Sequence, residues 1–238
     1  MKILALESSG LVASVAVVTE ERLIGEYTTN FKKTHSQTLL PMMDALLQMT
    51  GISVKEMDAI AVSKGPGSFT GLRIGSATAK GLGLALNKPI VGVPTVDAIA
   101  YNLFGTDDVV CPLMDARRNQ TYTGLYTFEQ DRMICLSEQK AVMIGDIISE
   151  INALGRKVIF LGDGVPVFRQ ALEEGIKVPH TYAPVHLNQQ RAGALGALAV
   201  QYYQEGRYET AAGHQPDYLR LSQAERELAS KKEKEQGH

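Results

Sequence analysis

The chain has 238 residues, 45% of them hydrophobic, and a formal net charge of −2. This length supports one large domain or two lobes of about 100 residues each, and the balanced charge argues against a protein that wraps nucleic acid by itself. The N-terminus enters a strand-like run without a signal-peptide cleavage site, and no apolar run reaches the roughly 18 residues of a membrane span, so we expect a cytoplasmic protein.

The first half of the chain predicts strands and helices in an α/β order. Runs of β-branched residues mark the strands, and a period near 3.6 marks the helices. The predicted elements are strands at 3–6, 13–18 and 23–27, a helix from about 36, a strand at 59–63, a glycine-rich helix, a strand at 90–93 and a helix after 95.

The second half repeats this order. Its predicted elements are strands at 109–114, 121–128 and 133–136, a helix near 145–153, a strand at 158–161, a helix at 165–173 and a last helix at 187–205. Three strands followed by alternating helices and strands, found twice, indicate an internal duplication. Two such lobes facing each other are the architecture of the actin, sugar-kinase and Hsp70 ATPase superfamily.

The predicted organisation follows from this duplication. We expect a first lobe at 1–106, a second lobe at 107–186, a closing helix at 187–212 that packs back toward the first lobe, and a polar, partly disordered tail at 213–238. From about Gln223 the tail has little to bury. Cys111 and Cys135 lie in apolar runs without metal-ligand spacing, which predicts buried free thiols and a reducing compartment.

The segment SKGPGSFTGLRIGSATAKGLG places small residues at every fourth position of the glycine-rich helix: Gly71, Gly75, Ala79 and Gly83. Glycine inside a helix costs roughly 1 kcal/mol relative to alanine, so the pattern needs a compensating interaction. A face without side chains lets another backbone come close. A neighbouring helix or a partner protein is expected against this stripe, and the further alternative is the lobe's own sheet. Ser68 is the predicted N-cap.

Three turns decide whether the fold binds nucleotide. Glu7, Ser8 and Ser9 follow the first strand and are candidates for a weak phosphate or cation contact, as are Gly162 and Gly164 after a later strand. At the matching turn of the second repeat, Asp115 would repel phosphate and two arginines fill the space. We therefore expect no tight ATP binding by this chain.

The motifs ILALESSGLVASVAVV, THSQTLLPMM, VSKGPGSFTGLRIGSATAKGLGLAL, LMDARRNQTYTGLY and PDYLR together resemble the TsaB family, also called YeaZ. The resemblance extends to about Arg220. It implies a non-catalytic subunit that binds and activates its paralogue TsaD for N6-threonylcarbamoylation of adenosine 37 in tRNAs reading ANN codons. It also implies a third subunit, the ATPase TsaE, and a homodimer when TsaD is absent.

The same resemblance bears on catalysis. In the paralogue a His-x-x-x-His pair holds a metal, and here Thr95 and Ile99 stand at the aligned positions. We predict no catalytic or metal-ligating residues, no cofactor held by this chain, ATP and metal on the partner subunits, and tRNA bound through the complex. An independent ATPase or small-molecule kinase of the same fold is the alternative. A protease is disfavoured because neither a metal-ligand pair nor a nucleophile with its base is present.

The predicted partner surface lies on the first two long helices. The first carries apolar residues on two faces, and methionines suit an adaptable interface. The predicted contact residues are His35, Leu39, Met42, Met43, Leu46, Gly71, Arg73, Gly75 and Ala79. The alternative is that both helices simply pack on their own sheet.

Overall fold

Two five-stranded mixed sheets, one in each half of the chain, form the frame of the fold. The structure is a computed structural model and describes residues 1–31, 34–130 and 132–219. Both sheets have helices on their faces, so the predicted two-lobed α/β class is confirmed.

In the first lobe the strand order is β3-β2-β1-β4-β5, with β1 antiparallel to β2 and parallel to β4. Its elements are β1 (Lys2–Glu7), β2 (Ala13–Thr19), β3 (Leu23–Thr29), α1 (His35–Thr50), β4 (Ala59–Gly65), α2 (Phe69–Leu86), β5 (Ile90–Pro94) and α3 (Thr95–Ala100), with a short 3-10 helix at Val54–Glu56 and another at Tyr101–Leu103.

In the second lobe the order is β8-β7-β6-β9-β10. Its elements are β6 (Val109–Asp115), β7 (Gln120–Glu129), β8 (Arg132–Met143), α4 (Ile144–Leu154), β9 (Val158–Leu161), α5 (Val165–Gly175), β10 (His180–Tyr182) and α6 (Ala192–Gln204). The strands of the two sheets correspond one to one in order and direction. The internal duplication is confirmed, and the topology is the duplicated two-lobed α/β arrangement expected from the sequence.

Three details of the second lobe differ from the sequence predictions. β10 was missed because only three residues, between Pro179 and Pro184, form the strand. β8 continues to Met143 because its polar residues lie on a half-exposed edge strand. The prediction that Cys135 is buried is wrong, since it lies on this edge and is exposed, whereas Cys111 is buried; both thiols are free.

Helices cover both faces of the first sheet. On one face α1 and α2 pack with side chains such as Leu4, Val62 and Leu46. On the other face α6 packs on β1 and β2, burying Leu195 and Leu198 with Ile3. The closing helix, which starts at Ala192, thus belongs to the core of the first lobe although it follows the second in sequence. Among the described residues no helix has the length and apolar character needed to cross a membrane.

The chain after α6 continues along the first lobe. Ile90 and Glu209 form an antiparallel bridge, and the Asp217 amide donates a hydrogen bond of 2.7 Å to the carbonyl of Lys64. His214 is fully buried and pairs with Glu209 at 2.8 Å. Residues 213–219 of the predicted tail therefore make specific contacts, and the segment from Gln223 lies outside the described residues.

The glycine stripe of α2 faces the lobe's own sheet. A Cβ at Gly71 would overlap the carbonyl oxygen of Ser8, and one at Gly75 would overlap the Ser8 hydroxyl. Ala79 is fully buried, and a Cβ at Gly83 would lie 2.7 Å from the Cβ of Ala211. The stripe predicts that another backbone comes close to α2, and that backbone is Ser8, directly after β1.

A buried carboxylate joins the two lobes. Asp97 of α3 accepts hydrogen bonds from the hydroxyls of Tyr126 on β7, at 2.7 Å, and Tyr202 on α6, at 3.1 Å. Burial raises the pKa of Asp97, and the two tyrosine hydroxyls act in the opposite direction. Sequence analysis missed this group, because no local pattern marks a pair of residues 29 positions apart.

Replacing Gly71 by alanine should lower the free energy of unfolding by about 1–3 kcal/mol, because the added methyl group must displace the Ser8 backbone. The matched control is Gly81→Ala in the same helix, where nothing lies within 4 Å of an added Cβ. That change should raise the free energy of unfolding by up to about 1 kcal/mol. Urea denaturation measures both, and equal stabilities of the two variants would contradict the inward orientation of the stripe.

Tyr126→Phe should lower the free energy of unfolding by about 1–2 kcal/mol, because it removes a donor from the buried Asp97 carboxylate. Tyr122 lies on the same strand, and its hydroxyl has no hydrogen-bond partner among the described residues, so Tyr122→Phe should change stability by less than about 0.5 kcal/mol. Thermal and urea unfolding compare the two. An unaffected Tyr126→Phe variant would show that Tyr202 alone satisfies Asp97.

Candidate functional site

An open cleft of about 450 Å³ lies between the lobes. The loops that line it follow the carboxyl ends of β1, β4, β6 and β9, where open α/β sheets bind their ligands. These loops comprise residues 9–11, 66–69 and 114–117 together with Asp163, and residues 217–219 complete the wall.

Glu7 ends β1, two residues before Ser9 of the cleft wall, and is almost fully buried. Its Oε1 accepts a hydrogen bond of 2.6 Å from the amide of Ser9. Burial raises the pKa of Glu7, while the Ser9 amide acts in the opposite direction. The carboxylate therefore binds the backbone donor that a phosphate loop would offer to a ligand.

Asp115 repeats this arrangement at the end of β6 in the second lobe. Its Oδ1 accepts a hydrogen bond of 2.8 Å from the amide of Arg117, two residues later, as Glu7 does from Ser9. Its other oxygen lies 3.4 Å from the Arg117 guanidinium. In both lobes, the acidic side chain at the end of the first strand thus accepts a hydrogen bond from the backbone amide two residues later.

The turn after Asp115 has an unusual backbone. Arg117, Arg118 and Asn119 have φ angles of 65°, 56° and 59°, all in the left-handed region. This conformation costs a non-glycine residue about 1–2 kcal/mol, and asparagine tolerates it best. Two arginines are held there, with the Arg117 side chain 87% exposed.

The predicted nucleotide contacts at Gly162 and Gly164 serve the packing of their own turn. Gly162 has φ 105°, and a Cβ there would overlap the carbonyl oxygen of Leu113. The Gly164 amide donates to the same carbonyl at 2.9 Å. Asp163 lies between these two glycines in the chain. Burial and the neighbouring Asp115 carboxylate raise the pKa of Asp163 to about 6. Its Oδ1 has no hydrogen-bond partner among the described residues.

The two serines after β1 lie in different places. The Ser8 hydroxyl points under α2 and donates to the carbonyl of Gly71 at 2.9 Å. Ser9 lines the cleft; its carbonyl accepts from the amide of Ser68 at 2.6 Å, and its buried hydroxyl has no partner within the described ranges. Of the five predicted nucleotide contacts, the cleft wall includes Ser9. Ser68 caps α2 as predicted, accepting from the Gly71 amide at 3.3 Å.

The two positions at which the sequence predicts no metal ligand, Thr95 and Ile99, are buried in α3. Within residues 1–31, 34–130 and 132–219, no three histidine, cysteine, aspartate or glutamate side chains come together in a group that could hold a metal ion.

The structure divides the predicted partner-surface residues into buried and accessible groups. Leu39 and Leu46 are buried in the core of the first lobe, as are Gly71, Gly75 and Ala79, so this part of the set serves the lobe itself. His35 is half-buried and donates through Nε2 to the Gly10 carbonyl at 2.8 Å, which ties α1 to the first turn. Met42 and Met43 are half-buried, and Arg73 is exposed.

A second row of apolar and small residues lies on the outer face of these helices. Leu40 of α1 is 50% exposed and Leu84 of α2 is 61% exposed. Ala77 and Gly81, one turn apart on α2, are exposed, and nothing lies within 4 Å of an added Cβ at Gly81. Sequence reasoning missed this row because the inward stripe has the same four-residue spacing. We call residues Leu40, Ala77, Gly81 and Leu84 the outer face.

Comparisons with known proteins agree with each other. The family model of TsaD, tRNA N6-adenosine threonylcarbamoyltransferase, matches residues 22–228. The tRNA threonylcarbamoyladenosine biosynthesis protein TsaB of Bacillus subtilis is 33% identical over 94% of this chain and 96% of its own length. TsaB of Escherichia coli is 28% identical over 97% of this chain and 100% of its own length.

A solved structure matches equally well. YeaZ from Pseudomonas aeruginosa superimposes with a TM-score of 0.79 at 27% identity, covering 92% of this chain and 99% of that chain. The similarity in sequence and in structure thus spans both lobes and the closing helix. The chain belongs to the TsaB family, within the larger group that the TsaD family model describes.

Proposed function

We propose that this chain takes part in tRNA threonylcarbamoyladenosine biosynthesis as a non-catalytic subunit that binds and activates a TsaD-type transferase. The transferase would carry out N6-threonylcarbamoylation of adenosine 37 in tRNAs reading ANN codons. The names of the TsaB relatives support the pathway. The observation that carries the non-catalytic role is the pair of strand-end carboxylates, Glu7 and Asp115, each bound to the amide that a phosphate would need.

These carboxylates disfavour an independent ATPase or kinase. A nucleoside triphosphate would have to displace each carboxylate from its amide and then lie beside it. The Asp115 carboxylate, which lines the cleft, would then repel the phosphates. We therefore assign ATP and the catalytic metal to partner subunits, TsaD and the ATPase TsaE, acting in the cytoplasm.

The outer face is the proposed site of association. Leu40 and Leu84 expose apolar area, and the small residues Ala77 and Gly81 of α2 leave room for a partner helix to approach. Helices α1 and α2 would then contribute two helices to a four-helix contact. The same face would pair two copies of this chain when TsaD is absent. The buried stripe contributes indirectly, by fixing α2 on the sheet.

The purified chain alone should transfer no threonylcarbamoyl group to tRNA and should hydrolyse ATP no faster than a blank. A ligand that binds the folded state stabilises it by RT ln(1 + [L]/Kd). Because we expect no binding of ATP to this chain, Mg-ATP should leave its melting temperature unchanged. Differential scanning fluorimetry and a tRNA modification assay measure these quantities. ATP turnover or thermal protection would favour the kinase alternative.

Leu40→Asp should leave the chain folded and weaken its association with the cognate TsaD at least tenfold, because burying an unpaired carboxylate in an apolar interface costs more than the roughly 1.4 kcal/mol that a tenfold change in affinity represents. Val167→Asp is the matched control, since Val167 lies on α5 of the second lobe and is 58% exposed. Calorimetric titration with TsaD and reconstituted tRNA modification compare the two.

Met43→Asp, one turn further along α1, should behave as Leu40→Asp does, with some additional loss of stability because Met43 is half-buried. Unchanged TsaD affinity in both α1 variants would place the interface elsewhere. Equal losses in the Val167 control would show a non-specific effect of added charge.

A further inference from the structure

The turn at the rim of the cleft presents two cations. The side chain of Arg118 is exposed and has no hydrogen bond or ion pair with any residue in the described ranges. Arg117 points outward beside it, with one contact of 3.4 Å to Asp115. Glycine would hold this left-handed turn with less strain, so the arginines are not explained by the folding of the turn.

Aromatic rings line both walls of the same cleft. Tyr122 lies on the wall of the second lobe near Arg117. On the opposite wall the rings of Phe69 and Tyr218 lie 4.7 Å apart, and the guanidinium of Arg73 lies 3.9 Å from the centre of the Phe69 ring. Aromatic rings and guanidinium planes are the surfaces on which proteins stack unpaired nucleic-acid bases.

The interior of the cleft favours a base or ribose over a phosphate. The Asp163 Oδ1 and the Ser9 hydroxyl lack partners among the described residues, and both belong to residues that line the cleft. A carboxylate accepts hydrogen bonds from amino groups and hydroxyls, and it repels phosphate. Negative charge is thus placed inside and positive charge at the rim.

From this arrangement we propose that the cleft and its Arg117–Arg118 rim form a contact surface for a single-stranded segment of RNA. The two arginines bind backbone phosphates, and a base enters the cleft to stack on Tyr122. The inference rests on the proposed function, for which the RNA is the tRNA substrate. It adds a direct contact between that RNA and this chain.

The decisive variant is Arg117→Gly combined with Arg118→Gly, which removes both charges and relieves the backbone, so loss of folding cannot explain its effect. Binding of a fluorescein-labelled anticodon stem–loop RNA is measured by anisotropy at several salt concentrations, with the chain alone and with its TsaD complex. We expect RNA affinity to fall about tenfold and the slope of log K against log salt to decrease by roughly 1.4, the value for two phosphate contacts on a single strand.

Two further variants test the parts separately. Arg117→Lys with Arg118→Lys should keep most of the salt slope, because the charges remain. Tyr122→Leu should weaken RNA binding several-fold and leave the slope unchanged, because stacking releases no counterions. Arg22→Ala is the matched control: Arg22 is exposed in the β2–β3 hairpin, at the end of the sheet opposite Glu7, and its loss should have no effect.

The outcomes separate this proposal from the proposed function. Unchanged RNA affinity and slope in the double glycine variant would overturn the RNA contact, as would an equal loss in the Arg22 control. Association with TsaD is measured on the same samples. If TsaD does not bind but the double glycine variant loses RNA affinity, the RNA surface stands and the proposed function fails.

Discussion

The close approach of α2 to the end of β1 is the constraint on which the rest of the first lobe depends. The Ser8 carbonyl and hydroxyl lie where side chains at Gly71 and Gly75 would be. Because α2 lies this close to the end of β1, the Ser8 hydroxyl donates a hydrogen bond to the Gly71 carbonyl, and the Ser68 amide donates one to the Ser9 carbonyl. These bonds fix the first turn, and the first turn forms one wall of the cleft.

The duplication then places a second acidic turn opposite the first. Glu7 and Asp115 end equivalent strands, and each binds the amide two residues further on. These backbone amides are therefore already engaged by the chain's own carboxylates. The cleft persists as a space of about 450 Å³ because the lobes still face each other, while its interior has become acidic and its rim basic. This change in electrostatics underlies both the non-catalytic role and the RNA contact that we propose.

The two rows of small residues on α2 lie on opposite sides of the helix, one buried and one exposed. Gly71, Gly75 and Ala79 are buried against the first lobe, while Ala77, Gly81 and Leu84 of the same helix are exposed. A partner that binds the outer face would press on a helix whose other side contacts the first turn of the cleft. Association at the outer face and binding in the cleft therefore share α2, and His35 ties the neighbouring α1 to the same first turn.

The sequence by itself determined the duplicated order of strands and helices and the cap at Ser68, because local periodicity and turn chemistry can be read from one segment at a time. The tertiary structure alone decided which row of α2 faces inward, because both rows have the same four-residue spacing. Only the tertiary structure shows that Glu7 binds the Ser9 amide and that Asp97 binds the Tyr126 hydroxyl. Only the tertiary structure shows that Cys135 is exposed on an edge strand. Each of these depends on which backbone or sheet edge comes close in space, a quantity that no single segment of the chain contains.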